Sequence, residues 1–222
     1  MANRISRVQC RLEDLDANAL LLTSLLDIRW TCGFTGSNGL LVVGPESAQF
    51  VTDGRYTEQA RAEVAGAEVH IAENGLSDLV DEEGLLKSFS KVAFQADSVS
   101  VARRDNLAET HDTVEWVPTT KVLTMQVASK DRTEVEQIRA AQSITESVFE
   151  AVVDFIEPGL TEREVAAEIV YRHLKQGADS MAFDPIVASG PSGGRADEPR
   201  WARTRQSGRT PSSRRPASGA GT

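Results

Sequence analysis

Gly33-Phe34-Thr35-Gly36-Ser37-Asn38-Gly39-Leu40-Leu41-Val42-Val43-Gly44-Pro45-Glu46-Ser47-Ala48-Gln49-Phe50-Val51-Thr52-Asp53-Gly54-Arg55-Tyr56 holds in succession a glycine-rich loop, two short apolar runs and an acid–base turn. The runs at 39–43 and 48–52 have strand length, and Gly44-Pro45-Glu46-Ser47 is a turn of hairpin length, which predicts an antiparallel pair. Outward from that hairpin, further strand-sized runs fall at 19–23, 68–71, 91–94 and 114–117. Between them, apolar residues recur at helical spacing over 56–65, 76–89 and 101–110. Alternation of this kind predicts an α/β domain, a mixed sheet flanked by helices.

Around Val127-Ala128-Ser129-Lys130-Asp131 the apolar pattern lapses into a polar connector. A long helix follows, over 133–156. Ile138, Ala141, Ile144, Val148, Val152 and Phe155 form its expected buried stripe, and Pro158-Gly159 ends it. Thr161 with Glu164 is a capping box, so the next helix runs over 162–175. Phe183-Asp184-Pro185-Ile186-Val187-Ala188-Ser189-Gly190 reads as a strand entered through a proline. The pattern stops after Pro191: residues 192–222 contain seven Arg but no Leu, Ile, Val, Phe or Met. Such a tract cannot bury enough apolar surface to offset chain entropy, and disorder is expected there.

Across 222 residues, 33 acidic side chains oppose 24 Lys and Arg, a formal net charge of -9. The last segment is basic, so the body is more acidic than the total, and an acidic body repels phosphate backbones and anionic lipid surfaces. No apolar run approaches the ~20 residues of a membrane span, and no export signal is visible. Cys10 and Cys32 lack CxxC spacing and read as two reduced thiols. A soluble cytoplasmic protein with neither membrane nor nucleic-acid partner is expected.

The two motifs of the opening stretch resemble the paired signature of the creatinase-like amino-terminal domain of Xaa-Pro peptidases, in the aminopeptidase P, prolidase and creatinase superfamily. Lys130-Asp131 with Glu134, Glu136-Gln137-Ile138-Arg139 and Ala140-Ala141 resembles the first helix of that family's pita-bread catalytic domain. Gly159-Leu160-Thr161-Glu162-Arg163-Glu164-Val165-Ala166 and residues 183–191 resemble its second helix and first strand. The resemblance implies a creatinase-like domain at 1–128, an incomplete start of a pita-bread metallopeptidase domain at 129–191, and a tail at 192–222. It also implies metal-dependent release of an amino-terminal residue before proline. In the family, two aspartates, a histidine and two glutamates hold two divalent ions, usually manganese, because hard cations prefer oxygen ligands. Those positions have no counterpart in this sequence, whose last histidine is His173. The chain as it stands is therefore expected to be inactive, with no catalytic and no metal-ligating residue.

Gly33, Phe34, Gly36 and Asn38, with Asp53, Gly54, Arg55 and Tyr56, are the family-motif residues, read as structural or oligomer contacts. A phosphate cradle in the loop is disfavoured, because no Lys-Ser/Thr pair follows it. Its glycines are expected to accept positive φ while Thr35, Ser37 and Asn38 bond local backbone. Asp53 and Arg55 read as a turn with a local ion pair. His70, His111 and His173 share no ligand spacing, and Asp184 carries no ligand role. The Arg-rich tail matches what a shifted reading frame in GC-rich coding DNA produces. Two alternatives stay open: a non-catalytic module that forms homo-oligomers or joins an intact subunit, and nucleic-acid binding by the tail.

Overall fold

The computed structural model describes residues 2–190; the expected disordered tail at 192–222 lies outside them. The chain divides into two compact units, Met1–Lys130 and the part from Asp131 onward.

The first unit is built on six strands, β1 (Ala19–Leu22), β2 (Leu40–Val43), β3 (Ala48–Asp53), β4 (Glu68–Ala72), β5 (Lys91–Gln95) and β6 (Glu115–Thr119). They form one sheet in the order β4-β3-β2-β1-β5-β6. β2 pairs antiparallel with β1 and with β3, and the outer pairings are parallel. The hairpin expected from Gly44-Pro45-Glu46-Ser47 is present, with Leu40 opposite Val51 and Val43 opposite Ala48.

All four residues of β1 and of β2 are buried. The cause is covering on both faces, since side chains alternate across a strand. Leu20, Leu22, Leu41, Val43 and Phe50 belong to one core. It is closed by α1 (Ala2–Gln9) through Ile5 and Val8, by α2 (Leu25–Cys32) through Ile28 and Trp30, and by α3 (Thr57–Glu63) through Ala60. Ala19, Leu21, Leu40, Val42 and Val51 face the opposite core. Val80 of α4 (Leu76–Glu82) and Leu107 of α5 (Val101–Thr110) seal that side.

The helix read over 76–89 is shorter than expected. It ends at Glu82 because Gly84 turns into the left-handed region at φ 61°, and Leu86 still packs into the core beyond the helix. α1, α2 and the short α6 (Thr124–Ala128) were not read from the sequence, each having too few apolar repeats to announce a period.

In the second unit, α7 (Arg132–Phe155) and α8 (Glu162–Lys175) both begin with capping boxes, Asp131 with Glu134 and Thr161 with Glu164. Val148, Val152 and Val165 are its buried core, with Ile144, Leu160, Ile169 and Val187 packed around them. Of the stripe expected on α7, Ile138 and Ala141 are exposed instead. The strand expected over 183–190 does not form: the segment joins no ladder, and the Ser189 amide is held by Glu162 at 2.8 Å. A strand needs a neighbouring edge, and the described residues of this unit offer only helices.

Candidate functional site

Pairing Leu40 with Val51 brings the start of β2 and the end of β3 to the same side of the sheet. That places the loop 33–39 against the turn 53–56. Gly33 opens the loop at φ 92°, capping α2 with its amide on the Arg29 carbonyl, a conformation that needs glycine. Phe34 then turns inward and is buried against Phe50, ring centroids 4.6 Å apart, and edge-on to Tyr56 at 5.5 Å. Gly36 lies so close to the rings that an added methyl would sit 2.8 Å from Phe34 Cε1 and 2.9 Å from Tyr56 Cδ1.

Above this aromatic floor the polar groups pair with one another. Asn38 Nδ2 donates to Asp53 Oδ2 at 2.7 Å, and the Asn38 carbonyl accepts from the buried Thr52 hydroxyl at 2.7 Å. Arg55 grips the same carboxylate with two donors, Nε to Oδ1 and Nη2 to Oδ2, each at 2.9 Å, while its amide donates to Oδ1 at 3.0 Å. The Arg55 hydrogen bonds first, then that of Asn38, hold the Asp53 carboxyl well below the usual carboxylate range. The same pairing raises the Arg55 guanidinium above its ordinary value. Ser37 Oγ and the Tyr56 hydroxyl lie 2.6 Å apart, and that contact pulls the phenol below its ordinary value.

The far side of the loop is tied to α3. Glu63 accepts from the Thr35 amide at 2.7 Å and from its hydroxyl, and Gln59 Nε2 donates to Thr35 Oγ1 at 2.8 Å. Burial raises the Glu63 carboxyl, but the Thr35 and Gln59 donors outweigh it, so the group sits below its ordinary value. Gln59 and Glu63 were missed in the sequence; their one signal was i, i+4 spacing on the helix that follows the motif. Thr35, Ser37 and Asn38 were expected to bond local backbone, and instead their side chains reach Glu63, Tyr56 and Asp53. The reason is that the hairpin and α3 bring stronger partners within reach.

Asp53 and Arg55 thus form a bidentate ion pair across one turn. The Asp53 carboxylate receives four hydrogen bonds, which leaves it poorly suited to take a proton from a substrate. Of the expected bystanders, His70 Nε2 lies 2.6 Å from Gln49 Oε1, His173 Nδ1 lies 2.8 Å from the Ile169 carbonyl, and His111, the residue that caps the end of α5, is buried. Among the described residues no three His, Cys, Asp or Glu side chains are grouped to hold a metal ion. None of their helices is long and apolar enough to cross a membrane.

The family model of the creatinase/prolidase N-terminal domain matches residues 4–127. This chain belongs to the creatinase/prolidase family. A second model, metallopeptidase family M24, matches residues 136–202. The chain is 34% identical over 178 residues to the uncharacterized peptidase YqhT of Bacillus subtilis, taking in 79% of this chain and 50% of the relative. Among solved structures it resembles an Xaa-Pro dipeptidase from Bacillus anthracis, with a TM-score of 0.79, 30% identity, and coverage of 84% of this chain and 52% of that one. It also resembles the N-terminal domain of the cytoplasmic peptidase PepQ from Mycobacterium tuberculosis, with a TM-score of 0.51, 28% identity, and coverage of 55% of this chain and 97% of that one. The chain spans about half the length of the curated relatives it matches. M24 metallopeptidases use divalent metals, and the described residues of this family member do not supply a ligand set that fits such ions.

Proposed function

We propose that this member of the creatinase/prolidase family is the non-catalytic half of an Xaa-Pro peptidase scaffold: a creatinase-like domain that walls and assembles the enzyme, joined to the opening helices of an M24 domain. The observation that carries this reading is the loop-and-turn latch, in which Asp53, Arg55 and Glu63 are all engaged in internal hydrogen bonds. Groups committed in this way set shape and cannot serve as an acid, base or nucleophile without breaking the latch. On this reading, Xaa-Pro peptides and the two divalent ions, manganese in the first instance, belong to the whole enzyme, and the 222 residues alone hydrolyse nothing.

The test is hydrolysis of an Xaa-Pro dipeptide and an Xaa-Pro tripeptide by the purified chain with manganese. No turnover is expected, and turnover that a chelator abolishes would overturn the reading.

The same geometry supports a contact role. Arg55 holds its ion pair while its side chain stays 71% exposed, a rigidly displayed cation at the rim of the latch. Homo-oligomers, or association with an intact subunit, would use that face. Co-purification with an intact homologue, weakened by Arg55→Ala, is the expected outcome, and a strictly monomeric chain contradicts it. A cytoplasmic setting accords with two free thiols, Cys10 exposed and Cys32 buried.

A further inference from the structure

Several acidic side chains of the first unit have a cation beside them: Asp53 has Arg55, Asp14 has Arg11, Glu58 has Arg61, and Asp16 and Glu115 share Lys91. α4 differs. Its Asp78, Asp81 and Glu82 pair with no Lys or Arg among the described residues, and the helix itself carries no basic residue. These three carboxylates line a cavity of about 150 Å³ between α4 and the end of α5, and no Lys or Arg lines it with them. Buried Leu107 supplies the apolar part of the wall.

Acidity alone would make this a solvated surface. The deciding group is His111, which lines the same cavity and is only 9% exposed. Its Nε2 is enclosed without a partner, and its Nδ1 stands 4.0 Å from Asp81 Oδ1, too far for a hydrogen bond. Buried polar groups are ordinarily hydrogen-bonded, so an imidazole with neither nitrogen bonded among the described residues is a site short of a partner.

The 4.0 Å gap selects that partner. A nitrogen placed ~2.8 Å from both Nδ1 and Oδ1 sees them ~90° apart, so two N–H bonds of a tetrahedral ammonium reach both acceptors, each bent by only ~10°. A metal ion ~2.1 Å from both would need its two ligands ~145° apart, far from tetrahedral or octahedral geometry. That agrees with the lack of any group of metal-holding side chains among the described residues. Nδ1 is able to accept because nothing bonded to Nε2 fixes the tautomer of the ring. A water molecule could span the gap too, but it would leave Asp78, Asp81 and Glu82 without a counter-charge.

We propose that the cavity between α4 and α5 binds an alkylammonium group, with Asp81 and His111 Nδ1 accepting its protons, Asp78 and Glu82 adding negative charge, and Leu107 covering its methylenes. The group belongs either to a free diamine or to a lysine side chain. Whether the chain hydrolyses peptides has no bearing on this site.

The experiment titrates the full 222-residue chain at low ionic strength by calorimetry with 1,4-diaminobutane and with N-acetyl-lysine N-methylamide. N-acetyl-norleucine N-methylamide and magnesium chloride serve as controls. Saturable one-to-one binding of at least one amine is expected. Binding of the diamine alone marks the free amine as the ligand, and binding of the lysine amide admits a lysine side chain. Asp81→Asn should weaken binding at least tenfold, while Glu109→Gln, the same loss of charge on α5 outside the cavity, should change it less than twofold. Asp81 is half-exposed, so circular dichroism of its variant should match the parent. A second readout is the nitrogen-15 spectrum of the His111 ring, which should show its proton on Nε2 when the amine is bound. Failure of both amines to bind overturns the proposal. So do equal affinity for magnesium or for the norleucine amide, equal effects of the two variants, and a bound state with the ring proton on Nδ1.

Discussion

Asn38 and Asp53, fifteen residues apart in sequence, are joined by a 2.7 Å hydrogen bond from the amide Nδ2 to the carboxylate. Through it the glycine-rich loop is fastened to the turn that carries Arg55. Because Asp53 is held below the usual carboxylate range first by Arg55 and then by Asn38, its ionised form is preferred in the folded state. Its contribution to stability is therefore complete above the unfolded value near ~3.9 and is lost as pH falls through the lower folded value. Urea midpoints should be flat in this contribution from pH 7 to 5 and fall below pH 4. Asp53→Asn should lower the midpoint at pH 7 and flatten the fall below pH 4. A variant with the same pH profile as the parent contradicts the latch.

Gly36 has no room for a side chain. The Phe34 and Tyr56 rings occupy the space a methyl would take, and overpacking of this kind costs about 1–3 kcal/mol. Gly36→Ala should lower stability by that amount in urea unfolding, whereas Gly54→Ala, with nothing near its added methyl, should change it by much less.

Gln95 is 2% exposed and bonded through both amide atoms: its Oε1 accepts from the amides of Thr23 and Ser24 at 2.8 and 2.9 Å, and its Nε2 donates to Asp27 at 2.5 Å. It pins the start of α2 to the end of β5. Gln95→Leu keeps the volume and removes every partner, and each orphaned buried group costs ~1–3 kcal/mol. Denaturant unfolding should show a loss of at least about 1 kcal/mol; a neutral substitution would show that water replaces these bonds.

The two cysteines should differ sharply in reactivity. Cys32 is buried, its Sγ donating to the Ile28 carbonyl at 3.3 Å, and burial raises its thiol above the ordinary value. Cys10 is exposed. A thiol reagent followed by mass spectrometry should modify Cys10 alone in native protein and both after denaturation. Equal native rates would mean that the α2 region opens readily.

Much of this architecture is determined locally. Apolar runs bounded by turn residues were enough to place all six strands, because a strand covered on both faces, such as Ala19–Leu22, is apolar at every position. The antiparallel pairing of β2 and β3 follows from a short turn that leaves no other return path. The capping box at Thr161 and Glu164 is legible for the same reason: its donors and acceptors lie within one turn of each other. The glycine-rich loop and the Asp53-Gly54-Arg55 turn can likewise be found by inspection, although their chemistry cannot.

What only the tertiary structure decided is partnership across distance. That Asn38 meets Asp53, that Thr35 meets Glu63 and that Gln95 meets Asp27 depends on strand register and helix placement. The same side chains in other registers would be solvated. The residues from Phe183 to Gly190 show the limit from the other direction: their sequence suits a strand, yet none forms, because a strand is completed by hydrogen bonds from a neighbour that the described residues of that unit do not contain.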